Sequence, residues 1–95
     1  MRRAVEAGLV APERTVMVGI RGPQNTPEGW DFVRRNGIRV IYIEDFVELG
    51  VSGTVREVLR VVGDSPAYVS FDVDALDPVY APGTGTPEIL SLIHI

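Results

Sequence analysis

The residues best suited to chemistry lie in one stretch, where an apolar segment ends in aspartates. Residues 68–71 run directly into Asp72 and Asp74. If this segment is a β-strand, side chains two positions apart share a face, so both carboxylates point the same way, with Cα atoms about 7 Å apart at a rise of roughly 3.3 Å per residue. Like charges this close at a buried strand end either retain a proton or bind a cation.

The rest of the chain supplies no cation for this pair. No Arg or Lys follows Arg60, whereas Asp64, Asp77 and Glu88 add further negative charge to the same part of the sequence. Hard and borderline metal ions prefer oxygen ligands of this kind. A bound metal ion is therefore the simplest partner for the two aspartates.

Three interpretations of the Asp-x-Asp pattern are open from spacing alone. The pair could be metal ligands, the nucleophile and acid/base of a Mg²⁺-dependent phosphotransferase of the dehalogenase type, or two acids that cap backbone N–H groups in a non-catalytic α/β fragment. The phosphotransferase pattern expects Thr where Leu76 stands, and its motif normally lies on the first strand of the domain.

A loop rich in Gly and Thr follows at residues 83–86. It lacks the Gly-Lys-Ser/Thr ending of a Walker loop and the third glycine of a dinucleotide-binding loop. We interpret it as a tight loop in which Gly83 and Gly85 let the backbone approach a ligand and the threonine hydroxyls act as donors or acceptors. Asp77-Pro78, just before it, is typical of a turn.

Composition limits the class of protein. The chain has 95 residues and no Cys, which suits one small domain or part of one without disulfides. No apolar run is long enough for a membrane span and no signal peptide is evident, so we expect a cytoplasmic protein without a membrane partner. With 9 basic and 13 acidic residues it is a poor nucleic-acid binder, and its acidic end suits a cationic ligand.

The pattern of apolar residues predicts alternating strands and helices. The end of a helix opens the chain, and a second helix begins at Thr26 and ends at Gly37. A short helical turn then precedes a third helix, which ends at Gly63. The expected strands are residues 15–20, 38–43 and 66–74. Trp30, Phe32 and Phe46 are expected in the core.

This alternation favours right-handed βαβ units, that is, an α/β fold with a parallel sheet between helix layers. In such sheets, ligands bind beyond the carboxyl ends of the strands. Arg21, Glu44 and residues 72–88 are expected to gather there.

Residues 70–78 and 81–88 together resemble the ureohydrolase family, which includes arginase and agmatinase. Val18-Gly19-Ile20-Arg21-Gly22 resembles a second family motif. The resemblance implies a three-layer αβα fold of the arginase type, of which this chain is an incomplete portion.

The resemblance also implies a dinuclear Mn²⁺ site that activates water to attack a guanidinium carbon, releasing urea and an amine. Asp72 matches a carboxylate that bridges the two metals, and Asp74 matches one that binds a single metal. Thr86 matches a loop threonine near the guanidinium, in a loop shaped by Gly83 and Gly85.

Much of the family's site is absent from the sequence. The resemblance places the catalytic His and the remaining metal ligands before Met1, so no catalytic base is assigned here. We expect residues 1–89 to be part of a ureohydrolase domain and residues 90–95 to be a non-native tail, in which the single His94 is a poor candidate for chemistry. Because two aspartates cannot hold two metals, we expect the isolated chain to be inactive.

The substrate class follows from a difference within the family. Arginases carry Asp-x-Asp after the arginine that corresponds to Arg21, whereas this chain has Gly22-Pro23-Gln24, as agmatinase-like members do. Agmatine, which would imply a role in polyamine metabolism, or another guanidino-amine or guanidino-acid is therefore expected as the substrate. The complete enzyme is expected to be a homo-oligomer.

Overall fold

The computed structural model describes residues 1–22 and 26–89. The predicted non-native tail and His94 lie outside these residues. The helices and strands are α1 (Arg2–Glu6), β1 (Val16–Ile20), α2 (Pro27–Arg35), β2 (Arg39–Tyr42) and α3 (Ile43–Val62), with 3₁₀ turns at Pro12–Arg14 and Val73–Ala75.

Strands β1 and β2 pair in parallel, with Val16 opposite Arg39 and Val18 opposite Ile41. Helix α2 makes the crossover between them, which confirms the predicted βαβ unit. The start of α2 is as expected: the Thr26 hydroxyl accepts a hydrogen bond from the Gly29 N–H at 3.3 Å, and Pro27 occupies the first turn.

The core lies where α3 packs against the two strands. Ile41 is fully buried and contacts Ile43 and Phe46, both also buried, which confirms the prediction for Phe46. Trp30 and Phe32 on α2 are only partly buried. The Trp30 ring packs against Tyr42 at a centroid distance of 5.7 Å, at the edge of this core.

Helix α3 is bent at Gly50, whose φ of 64° and ψ of 176° are not helical. The bend separates a first helical piece from a second, as the sequence predicts, although the first begins directly after β2. Gly63 ends the second piece with φ of 67°, and its N–H donates to the Leu59 carbonyl at 2.9 Å. Glycine suits both positions because a left-handed φ strains other residues.

The predicted third strand, residues 66–74, is wrong for this structure. Within the described residues the sheet contains only β1 and β2, and a 3₁₀ turn occupies Val73–Ala75. Tyr68, Val69 and Phe71 are 92%, 84% and 67% exposed. An apolar, β-branched run shows that a segment suits burial in a sheet, but a strand also needs a neighbour with free hydrogen-bonding groups. None of the described strands pairs with this segment.

None of the helices in the described ranges has the length and apolar composition needed to cross a membrane.

Candidate metal and substrate site

The two aspartates flank the start of a tight turn. Asp72 keeps extended backbone angles (φ −101°, ψ 140°), and its carbonyl accepts a hydrogen bond from the Ala75 N–H at 3.0 Å. Asp74 lies inside the turn, so strand alternation does not describe how the two side chains are related, and the shared-face prediction is corrected accordingly. The Asp72 residue is exposed and Asp74 is partly buried.

Thr86 reaches back to this turn from the following loop. Its hydroxyl Oγ1 donates to Oδ2 of Asp74 at 2.7 Å. The Thr86 N–H in turn donates to the Thr84 hydroxyl at 3.3 Å, which closes a small turn inside the loop. The loop predicted to face a guanidinium therefore contacts the carboxylate predicted to bind metal.

Arg21, directly after β1, connects the same two segments through their backbones. One guanidinium nitrogen, Nη2, donates to the carbonyls of Asp74 and Glu88, the latter at 3.2 Å. The other, Nη1, makes a longer contact of 3.4 Å with the Gly19 carbonyl. The predicted gathering of Arg21 with the acidic loops is thus confirmed.

A β-bulge precedes Arg21. The β1–β2 register shifts between Val18 and Ile20, and Gly19 takes a φ of 78°. Bulges bend a strand and redirect the side chains that follow, and a bulge of this kind favours glycine at the left-handed position. The sequence Gly-Ile-Arg at the end of an apolar run was the available signal for this feature.

Gly22 and Glu88 pack closely beside Arg21. Gly22 has a φ of 78°, and a Cβ atom there would lie 3.0 Å from both Cδ and Oε1 of Glu88. The absence of a side chain at residue 22 therefore lets the loop that carries Glu88 approach the end of β1. The sequence analysis did not identify this contact.

The remaining predicted residues have simpler surroundings. Gly83 and Gly85 do not adopt a left-handed φ, and a Cβ on either would meet open space, so their loop-shaping role stays a prediction. Asp77 forms the expected turn: its Oδ1 accepts from the Val79 N–H at 3.0 Å. Glu44 is exposed in the first turn of α3, and no hydrogen bond within residues 1–22 and 26–89 links it to this site.

The donor chemistry fits a metal ion in part. Carboxylate oxygens are suitable ligands for Mn²⁺, and Asp74 is already oriented by a hydroxyl. Across the described residues, however, no group of three or more His, Cys, Asp or Glu side chains comes together. Asp72 and Asp74 can therefore supply only part of a metal site.

Among the described residues, a carboxyl group with a strongly lowered pKa lies at the opposite end of the sheet. Hydrogen bonds from Arg60 and then Arg39 lower the pKa of Glu57 from 4.5 to about 2. Arg39 begins β2, whereas the aspartate turn lies at the carboxyl end of β1. This ion-pair cluster stabilises α3 against β2 and is separate from the candidate site.

These features define a class of protein, an α/β fold with acidic loops at the carboxyl end of a parallel sheet. A model described as the arginase family matches residues 1–92, and the chain belongs to that family. This membership favours the ureohydrolase interpretation of the chain over the phosphotransferase and non-catalytic ones.

Individual relatives agree with the assignment. Guanidinopropionase of Pseudomonas aeruginosa is 62% identical over 88 residues, which are 93% of this chain and 28% of the relative. The mitochondrial guanidino acid hydrolase of Homo sapiens is 46% identical over 91 residues, or 96% of this chain and 26% of the relative. The solved structure of proclavaminate amidino hydrolase from Streptomyces clavuligerus superposes with a TM-score of 0.88 at 43% identity, covering 96% of this chain and 30% of that one.

The chain thus spans less than a third of the length of these relatives. The structural match shows that this segment is a portion of an arginase-type αβα fold.

Proposed function

We propose that the whole protein containing this segment is a Mn²⁺-dependent amidinohydrolase that converts a guanidino compound and water into urea and an amine. In this reaction a C–O bond forms at the guanidinium carbon. The bond between this carbon and the nitrogen that carries the substrate chain breaks, and the leaving amine takes up a proton. The observation that supports it is the contact between Thr86 and Asp74, which joins residues 70–78 to residues 81–88, the two segments that resemble the ureohydrolases.

The residues of this segment would contribute half of the metal site. Asp72 and Asp74 supply oxygen ligands and negative charge for Mn²⁺. Because Thr86 donates to Oδ2 of Asp74, it restricts the rotation of that carboxylate and leaves Oδ1 for a metal ion. When bound, the metal pair would lower the pKa of water, so that hydroxide would be available to attack the guanidinium carbon at neutral pH.

For the substrate, we propose a short guanidino acid as the first candidate and agmatine as the second. The two relatives of higher identity named above carry names of enzymes for guanidino acids. The sequence also lacks the Asp-x-Asp that follows the corresponding arginine in arginases. We therefore expect urea release from 3-guanidinopropionate, 4-guanidinobutyrate or agmatine to exceed release from arginine.

Expression of the complete protein from its flanking coding sequence tests this proposal. We expect urea release that disappears after chelation and returns with Mn²⁺. An upstream sequence without further His and Asp metal ligands, or a purified protein without amidinohydrolase activity on any of these substrates, would overturn it. Light scattering on the same protein tests the predicted homo-oligomer, and cell fractionation tests the predicted cytoplasmic location.

Residue roles can be tested in a chimera in which the part of this chain that aligns with the guanidinopropionase, over 88 residues, replaces the matching segment of that enzyme. Asp72→Asn and Asp74→Asn should each weaken Mn²⁺ binding by more than about 100-fold, since loss of an outer-sphere partner alone costs about 10- to 100-fold. Asp77→Asn is the matched control, because the amide oxygen still accepts the turn hydrogen bond from Val79. Equal Mn²⁺ affinity in all three variants would contradict the assignment of ligands.

A further inference from the structure

We propose that Arg21 is a positioning residue. It fixes the turn at Val73–Ala75, which contains Asp74, relative to the loop of residues 84–88. This inference rests on the proposed function, because it concerns the same metal and substrate site. It assigns to Arg21 a role that acts through Asp74 and Thr86, without direct contact with substrate.

The contacts of the guanidinium carry the proposal. A single nitrogen, Nη2, donates to the carbonyls of Asp74 and Glu88, which are 53 and 67 residues away in sequence. These carbonyls belong to the two segments whose side chains meet in the Thr86–Asp74 hydrogen bond. Arg21 therefore links these two segments through their backbone carbonyls, and Thr86 links them through a hydrogen bond between side chains.

Three hydrogen bonds together form a closed connection. The Arg21 guanidinium donates to the Asp74 carbonyl, and the Asp74 carboxylate accepts from the Thr86 hydroxyl. Two residues after Thr86, the Glu88 carbonyl accepts from the same guanidinium. A closed set of hydrogen bonds holds its members more firmly than an open chain does, because movement of one member breaks contacts at two places. The orientation of the Asp74 carboxylate thus depends on Arg21.

The Arg21 residue is partly buried. Its Nε atom is buried, and within the described residues it has no hydrogen-bond partner. A buried donor without a partner costs free energy, and the hydrogen bonds made by the terminal nitrogens offset this cost. The bulge at Gly19 and the close approach of Glu88 to Gly22 bring the arginine and the loop together.

Arg14 provides a matched comparison at the other end of β1. It lies just before the strand and also donates to a backbone carbonyl, that of Val62 at the end of α3, with Nε at 2.8 Å. Arg14 and Arg21 thus make the same kind of contact at opposite ends of one strand. Only Arg21 contacts the segments that carry Asp74 and Thr86.

The test uses the chimera with Arg21→Met, Arg21→Lys and Arg14→Met. Titration of the metal-free proteins with Mn²⁺ gives the affinity, thermal unfolding gives Tm, and kinetics of the reloaded proteins separate kcat from KM. We expect Arg21→Met to weaken Mn²⁺ binding by about 10- to 100-fold, the usual range for loss of a group that orients a ligand. Arg21→Lys should recover part of this loss, since an ammonium can replace one of the contacts but lacks the planar fork. Arg14→Met should lower Tm while leaving Mn²⁺ affinity within about twofold.

The inference is overturned if Arg21→Met and Arg14→Met change Mn²⁺ affinity equally. If Arg21→Met does not fold, Arg21→Lys decides: unchanged Mn²⁺ affinity in that variant also overturns the inference. Failure of the proposed function has a different result, namely that the complete, unsubstituted protein neither binds Mn²⁺ nor releases urea.

Discussion

The hydroxyl of Thr86 donates to Oδ2 of Asp74 across 2.7 Å, although the two residues are 12 positions apart in sequence. Hydrogen bonds to an ionised carboxylate are shorter and stronger than those between neutral groups. The contact changes the expected role of Thr86, which orients a candidate metal ligand in addition to its predicted place near a guanidinium. The residue proposed to bind metal and the residue proposed to lie near substrate are therefore in direct contact.

Removal of the Thr86 hydroxyl should weaken metal binding. Thr86→Val keeps the shape of the side chain but cannot donate, so the Asp74 carboxylate gains rotational freedom. Because Thr86 is exposed and water can partly replace its hydroxyl, we expect the effect at the lower end of the usual range, about tenfold in Mn²⁺ affinity of the chimera.

Two variants control this measurement. Thr86→Ser retains the donor and should bind Mn²⁺ nearly as well as the unsubstituted chimera. Thr15→Val removes a hydroxyl that donates to the Ala11 carbonyl at 2.8 Å, away from the aspartates, and should leave the affinity unchanged. A Thr86→Ser variant as weak as Thr86→Val would argue against the role of the hydrogen bond.

Substitution of Gly22 should destabilise the protein more than substitution of Gly83. Gly22→Ala forces a Cβ onto a residue with φ of 78° and places it 3.0 Å from the Glu88 carboxyl group. The Glu88 side chain can move, so the backbone dominates the cost, at about 1–2 kcal/mol. Gly83→Ala meets open space and should lie within about 0.5 kcal/mol of the unsubstituted chimera in denaturant unfolding. Equal effects of the two variants would contradict the described loop geometry.

The Glu57 cluster predicts a pH dependence of stability. Its pKa falls from 4.5 to about 2 on folding, so the ion pairs contribute stability above pH 4.5, and this contribution is lost as the pH decreases towards 2. Glu57→Gln should be less stable than the unsubstituted chimera at neutral pH, with a difference that disappears across this window. The effect should shrink at high salt because these ion pairs are near solvent.

Denaturant unfolding at several pH values measures the effect. Glu48→Gln is the control on the same helix, where the Glu48 side chain is exposed. A difference between Glu57→Gln and the unsubstituted chimera that stays constant from pH 7 to pH 2 would disprove the assignment.

The isolated chain should fold incompletely and associate. Tyr68, Val69 and Phe71 are 92%, 84% and 67% exposed on a segment that pairs with none of the described strands, and such segments promote aggregation. We expect a broad thermal transition by circular dichroism, particle size that grows with concentration, and neither urea release nor tight stoichiometric Mn²⁺ binding. Val69→Lys should reduce the association. A sharp, cooperative melt of a monomer would show that the chain folds alone.

The sequence by itself determined several of the local elements and predicts where along the chain the candidate site residues lie. The Thr26 cap, the helix end at Gly63 and the parallel strands around α2 follow from short-range patterns, because caps, glycine stops and apolar periodicity act over a few residues. The acid pair pointed to a metal site for the same reason, since its charges are adjacent in the chain.

The tertiary structure alone decided which distant groups meet. Residues 66–72 suit a strand but find no strand partner within residues 1–22 and 26–89, since pairing depends on a free neighbouring edge that the segment does not itself encode. The contacts of Arg21 with Asp74 and Glu88 likewise join residues more than 50 positions apart, at 53 and 67. Spacing along a chain carries no direct record of such contacts, because they arise only when β1 and the two loops are brought to the same end of the sheet.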